Sequence, residues 1–126
     1  MGQTFIPAVF YRGGTSKGVF FHSRDLPADR QACDPILLAA LGSPDPYGRQ
    51  LNGMGGGISS LSKAVIVGPP TRPDADVDYT FVQVAVDRAM TVHTAPGSAA
   101  GTDTTRRAGG NGWSFTVTDA ITPRVP

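Results

Sequence analysis

The sequence predicts an α/β (α+β) domain: several short strands, one short helix and a large share of structured loop. Three observations carry that prediction. β-Branched and aromatic segments recur at Thr4 to Tyr11, Val19 to His22, Lys63 to Val67 and Val77 to Val86. Only Asp34 to Leu41 combines a cap, a first-turn proline and a run of helix formers. Glycine and proline, 16 and 11 of 126 residues, fall in clusters between these segments; together they make roughly a fifth of the chain against a usual share of about an eighth.

Thr4 to Tyr11 suits a strand, and Pro7 places it at an edge or near a bulge. Arg12 to Gly18 (RGGTSKG) interrupts it with turn chemistry, and Val19-Phe20-Phe21-His22 resumes the apolar pattern. Two strands joined by a glycine-rich loop read as a hairpin. In the helix, Asp34 is the expected N-cap, Pro35 fits the first helical position, and Gly42 with Pro44 ends it. An additional turn over Pro27 to Cys33 stays open, with Asp34-Pro35 as a break point. Ser43 to Gly57 is a long loop dense in Gly, Pro, Asp and Asn, of a kind that is usually functional or mobile. Lys63 to Val67 (KAVIV) reads as a buried strand closed by Gly68-Pro69-Pro70. Val77 to Val86 reads as a half-buried strand with Val77, Tyr79, Phe81, Val84 and Val86 as its apolar members. Thr91 to Arg107 shows no period of either kind. Gly109 to Gly112 signals a turn, Trp113 to Thr118 a last strand with Trp113 as core anchor, and Ile121 to Pro126 a loose end.

The chain has the length of one domain. A net charge of +1 with scattered basic residues gives no electrostatic case for nucleic acid or membrane binding. A single cysteine, Cys33, excludes an internal disulfide, and a count of only two histidines argues against a structural metal site, so none is assigned. No apolar run approaches the ~20 residues of a membrane span, and no secretory n-region precedes an apolar stretch. A cytoplasmic location is the default.

Two segments suggest chemistry. In Arg12 to Gly18, glycines expose backbone N–H groups, Thr15 and Ser16 add hydroxyls, and Arg12 and Lys17 add charge. Such a loop can receive a carboxylate or phosphate, or it can be a hairpin turn with solvated charges. It lacks the terminal G-K-S/T of a nucleotide loop and leads into a strand, which rules out that use. Gly53 to Gly57 fails the G-x-G-x-x-G pattern at Ile58. Lys63, after Ser59, Ser60 and Ser62 and at the start of an apolar strand, is either a partly buried base with a depressed pKa or a snorkelling lysine. Ser60-x-x-Lys63 matches an acylating motif whose companion sequences are absent. Cys33 reads as a small apolar residue or a solvent-side thiol, and His22 and His93 as ordinary residues rather than ligands.

Taken in order, four segments resemble the PrpF family: Arg12 to Phe21 (RGGTSKGVFF), Gly42 to Gln50 (GSPDPYGRQ), Gly53 to Gly56 with Ser59 to Lys63, and Arg72 to Tyr79 (RPDADVDY). That family includes 2-methylaconitate cis–trans isomerases and is similar to 4-oxalomesaconate tautomerases. The resemblance covers about Thr4 to Arg88. It implies a lobe similar to diaminopimelate epimerase, a curved mixed sheet around a central helix, with the active site in a cleft between two such lobes. It implies cofactor-free proton transfer on a small polycarboxylate, with Lys63 at the position of the family's catalytic lysine. Arg12, Gly13, Gly14, Thr15, Ser16 and Lys17 would then bind substrate, together with Met54, Gly55, Gly56, Ser59 and Ser60.

The sequence departs from that family after Met90. Relatives continue into an Asn-Cys-Gly-Asn loop with a second acid/base group, a long helix and a second lobe. Here Thr91 to Ser98 (TVHTAPGS) follows, with no cysteine downstream. The expectation is a family-like part over 1–90 and a divergent tail over 91–126 from a truncated or frame-shifted reading, an incomplete active site, and self-association through an exposed face of the lobe.

Overall fold

The computed structural model describes residues 3–99 and the two strand segments 105–107 and 114–116. Six strands form one mixed sheet: β1 (Ala8–Gly13), β2 (Ser16–His22), β3 (Lys63–Gly68), β4 (Val77–Val84), β5 (Thr91–His93) and β6 (Gly97–Ala99). The order is β1-β2-β3-β4-β5, with β6 also on β4. β2 and β3 are parallel, and the other pairs are antiparallel. A parallel pair needs a crossover, and helix α1 (Arg30–Leu41) supplies it. β7 (Thr105–Arg107) and β8 (Ser114–Thr116) pair separately. The strand expected over Trp113 to Thr118 thus exists in its middle, while Trp113, the Gly109 to Gly112 turn and Ile121 to Pro126 lie outside the described residues.

Several boundaries differ from the sequence reading. β1 begins at Ala8, just past Pro7, which has no N–H for the ladder. The hairpin loop is much shorter than RGGTSKG. Arg12 pairs with Lys17 and Gly13 with Ser16, so only Gly14 and Thr15 turn. Gly14 has φ +63 and Thr15 is not in the left-handed region, the pattern of a two-residue turn with glycine first. The helix starts at Arg30, where Asp29 Oδ1 accepts the Gln31 N–H at 3.1 Å. Pro35 therefore sits inside the helix rather than at its start, and its missing N–H leaves only the exposed Gln31 carbonyl without a helical donor. Cys33 is accordingly inside the helix and buried.

Both faces of the sheet are apolar. On one, Cys33, Leu37 and Leu41, spaced four apart along α1, pack on Val19 and Phe21 of β2, Ala64 of β3 and Val82 and Val84 of β4. Leu37 and Leu41 are fully buried, each contributing about 1.5–3 kcal/mol. The other face gathers Phe20, Val65, Val67, Tyr79 and Phe81, with Val9 and Tyr11 against them. β4 is thus buried on both sides, not half-buried. The parity break between Phe81 and Val84 was its sequence mark. β5 and β6 are three residues each, too short to leave a period in sequence.

The Ser43 to Gly57 loop is stitched to its surroundings rather than loose. At the end of α1, the Gly42 N–H donates to Ala39 O (3.1 Å) and the Ser43 N–H to Leu38 O (2.9 Å), the double bond of a Schellman cap. The two carbonyls that remain are met from further along the loop: Met54 N–H donates to Ala40 O at 2.8 Å and Gly55 N–H to Leu41 O at 3.1 Å. All four C-terminal carbonyls of the helix are therefore satisfied. The Asp45 carboxylate accepts the N–H groups of Tyr47, Arg49 and Gln50, and the Asp45 N–H reaches Val86 O at 2.8 Å.

Candidate functional site

The parallel pairing of β2 and β3 decides which side chains meet. Val19 is level with Ala64, so the start of β3 lies beside Gly18, whose missing Cβ leaves room against the Lys63 carbonyl. Alternation along the strands then puts Lys63, Ser16, Gly18 and Phe20 on one face, with Gly13 and Tyr11 of β1. This is the face without the helix. Lys63 Nζ donates to Ser16 Oγ at 3.2 Å and stands 5.7 Å from the centre of the Phe81 ring. Lys63 is half-buried, and the loss of water around its ammonium pushes its pKa below the ordinary lysine value. A lysine with its pKa depressed in this way, beside a hydroxyl, can act as a base that is already oriented.

A cavity of about 10 Å³ opens here, bordered by Tyr11, Gly13, Ser16, Gly18 and Lys63 among others. It is room for roughly one water. At this size it is a crevice with Ser16 and Lys63 at its edge, not a substrate-sized pocket.

Of the residues expected to bind substrate, the fold brings Gly13 and Ser16 to Lys63. Gly14 and Thr15 form the exposed tip of the same hairpin. Arg12 and Lys17 face each other in the ladder one position away, so the pleat turns their side chains to the opposite face. Arg12 Nη1 donates to its own turn at Gly14 O (3.4 Å). Lys17 borders the cavity, but its ammonium lies over Phe10, 5.2 Å from the ring centre. Met54, Gly55 and Gly56 run along the end of α1 and beside Leu61 rather than into the crevice. Ser59 and Ser60 form a 3₁₀ turn (Ser59–Leu61) leading to Lys63, with Ser59 exposed and Ser60 half-buried.

Sequence reasoning did not single out the residues that secure this turn. Gln83 Nε2 donates to the carbonyls of Ser59 and Ser62, both at 2.9 Å. Gln50, inside the polar loop, is buried and bonded to Ser43, Ser62 and Gly57. A glutamine among Gly, Pro and Asn carries no periodic signal, and although Gln50 closes the Gly42 to Gln50 segment, nothing in that segment marks it as buried.

Elsewhere, His93 on β5 and Asp34 on α1 form a part-buried pair, with Nε2 to Oδ1 at 2.7 Å. Burial pushes the Asp34 carboxyl up, yet hydrogen bonds from His93 and Thr91 and the charges of His93 and Arg30 outweigh it and hold the group below its ordinary range. Burial, and then the neighbouring Asp34, raise the Cys33 thiol, so Cys33 behaves as a small apolar residue and not as a solvent-side thiol. His22 Nδ1 accepts the Arg24 N–H at 3.1 Å. Among the described residues, no group of three or more His, Cys, Asp or Glu is placed to hold a metal, and no helix is long and apolar enough to cross a membrane.

Comparison with known proteins adds to this geometry. Over 90 residues the chain is 56% identical to the 2-methyl-aconitate isomerase of Cupriavidus necator, a match covering 68% of this chain and 23% of that protein. It is 54% identical over 89 residues to the 4-oxalomesaconate tautomerase of Pseudomonas putida, covering 71% of this chain and 24% of the relative. The 3-methylitaconate isomerase of Eubacterium barkeri shares 50% identity over 88 residues, 70% of this chain and 23% of its own. The chain thus spans about a quarter of the length of the curated relatives it matches. The crystal structure of methylitaconate-delta-isomerase superposes with a TM-score of 0.64 at 49% identity, covering 69% of this chain and 38% of that one. Residues 3–100 match the family described as PrpF protein, well over half of the sequence, and the chain belongs to that family.

Proposed function

We propose that this chain carries the Lys63 lobe of a cofactor-independent isomerase that moves a proton on unsaturated tricarboxylic acids such as 2-methylaconitate. The observation that carries the reading is the partly desolvated Lys63 ammonium held 3.2 Å from Ser16 Oγ. The relatives' names support the substrate class, since methylaconitate, methylitaconate and oxalomesaconate are all unsaturated polycarboxylic acids. In the proposed step the Lys63 amine takes a proton from a carbon next to the double bond. The electron pair of that C–H bond delocalises toward a carboxylate, and a proton returned at another carbon leaves the double bond moved or reversed in geometry. Backbone N–H groups at Gly14 and Thr15 and the hydroxyl of Ser16 would receive the carboxylates, while the Gly13 N–H, paired with Ser16 in the ladder, would hold the turn in place. Arg12 and Lys17, on the other face of the ribbon, would act through long-range charge rather than direct contact. In the same reading 1–90 is the catalytic part, and the tail over 91–126 does not supply the second acid.

A second reading, a carboxylate-binding or self-associating module without turnover, draws on the size of the cavity, about 10 Å³. Deuterium exchange separates the two. Proton abstraction needs only the base, so the chain incubated with 2-methylaconitate in D2O should exchange the substrate's labile C–H even if isomerisation is slow. Loss of one acid/base partner costs about 10²–10⁴-fold in turnover. Lys63→Ala should abolish the exchange; equal exchange by the variant would overturn the assignment of Lys63. No exchange by the parent chain, with carboxylate binding intact, would establish the second reading.

A further inference from the structure

The buried polar atoms next to the Lys63 crevice converge on Gln50, which has no part in the proton transfer. Gln50 is 1% exposed and holds φ +51, a left-handed backbone that is strained for a non-glycine residue. Such strain persists only where the surroundings over-determine it. Here they do: the Gln50 N–H donates to Asp45 Oδ2 at 2.8 Å, and its side-chain amide uses both ends. Nε2 donates to Ser43 Oγ (2.9 Å) and to Ser62 Oγ (2.8 Å), while Oε1 accepts the Gly57 N–H (2.9 Å).

Ser62, the residue before Lys63, is bound through each of its polar atoms. Its N–H donates to Ser59 O (3.2 Å), and its carbonyl accepts from Val84 N–H (3.1 Å) and Gln83 Nε2 (2.9 Å). Its hydroxyl donates to Val84 O at 2.8 Å and accepts from Gln50. A lysine side chain has four rotatable bonds, so where its ammonium rests depends on how firmly its Cα is held. We propose that Gln50 is a positioning residue for Lys63: by fixing Ser62 it sets the point from which the lysine stem crosses Phe81 to reach Ser16. The inference rests on the reading of Lys63 as the proton carrier.

Lys17 and Lys63 are the two lysines of the chain, so 13Cε-labelled lysine gives two titration curves by NMR, with Lys17 as internal reference. Gln50→Leu keeps the volume and removes the amide. It should raise the Lys63 midpoint toward the ordinary value of 10.5 as water reaches the ammonium, and leave Lys17 in place. Ser43→Ala removes a bond on the far side of Gln50 and spares Ser62. It should lower the urea midpoint without moving Lys63. If both variants move Lys63 equally, or neither moves it, Gln50 only stabilises the loop and the proposal fails. Should Gln50→Leu not fold, two other measurements decide. Ser62→Ala should move Lys63 in the same direction, and an unmoved Lys63 would overturn the proposal. In the unaltered chain, the Gln50 side-chain amide protons should exchange with water at least about 100-fold more slowly than those of exposed Gln31; similar rates would overturn it too. These readouts are independent of catalysis, whereas Lys63→Ala in the deuterium assay tests proton transfer without reference to Gln50.

Discussion

Adding one methyl group at Gly53 should cost more than adding one at Gly48, although Gly48 is the glycine with the unusual backbone. A Cβ at Gly53 would run into the backbone of Leu41 and Gly42 at the end of α1, atoms that cannot rotate away. The loop must lift, and three hydrogen bonds go with it: Gly53 N–H to Gln50 O (3.2 Å), Met54 N–H to Ala40 O and Gly55 N–H to Leu41 O. At about 1 kcal/mol net for each, Gly53→Ala costs about 3 kcal/mol. Gly48 has φ +68 but nothing within 4 Å of the added carbon, so Gly48→Ala costs only the left-handed strain, about 1–2 kcal/mol. Urea unfolding followed by circular dichroism measures both. With a slope of about 1–3 kcal/mol/M, the Gly53 variant should lose about 1 M or more of midpoint. Amide exchange at Met54 and Gly55 should quicken in that variant alone. A Gly53→Ala midpoint equal to or above that of Gly48→Ala would refute the account of the loop as the cap of the helix.

Further expectations follow from burial and charge. Leu37→Ala should cost about 2–5 kcal/mol, since Leu37 is 0% exposed, whereas Leu51→Ala, at a side chain 78% exposed, should leave the urea midpoint almost unmoved. Lys63 has a pKa in the folded chain below its ordinary 10.5. Between those two values the unfolded chain binds more protons, so stability rises with pH. Lys63→Met should flatten that rise, and urea midpoints taken from neutral pH to pH 10.5 would check it. The Asp34 carboxyl is held below its ordinary 3.8, so its contribution is present above that value and lost as pH falls through the folded pKa. Asp34→Asn should weaken the chain at neutral pH, lessen its loss in acid and loosen β5, read by amide exchange at Thr91 and Val92.

The strands that carry the site were legible because burial leaves a continuous apolar run in Lys63–Gly68 and an alternation with one parity break in Val77–Val84, and the lysine at the head of the apolar run stood out against it. The hairpin was legible as a hairpin, but the glycines of RGGTSKG hid how far its ladder extends. With the ladder misjudged, Arg12 and Lys17 could not be assigned to a face. The start of α1 was obscured because Asp29 and Asp34 are both good caps. Asp29 caps the helix, while Asp34 is taken by His93, 59 residues away. The loop from Ser43 read as open chain because much of its order comes from the side chains of Gln50 and Gln83, whose partners lie between 7 and 24 residues away and leave no local spacing to read.

The bonds from Asp45 to Val86 and from Ser62 to Val84 join stretches of chain some twenty to forty residues apart. Pulling the end of β4 away would release the loop, uncover the tail of the helix and flood the amine with water in one event. Segments joined in this way open together. The amides of Gln50, Met54, Gly55 and Ser62 should therefore share a single protection factor, and a ligand that orders any one of them will slow exchange at all four.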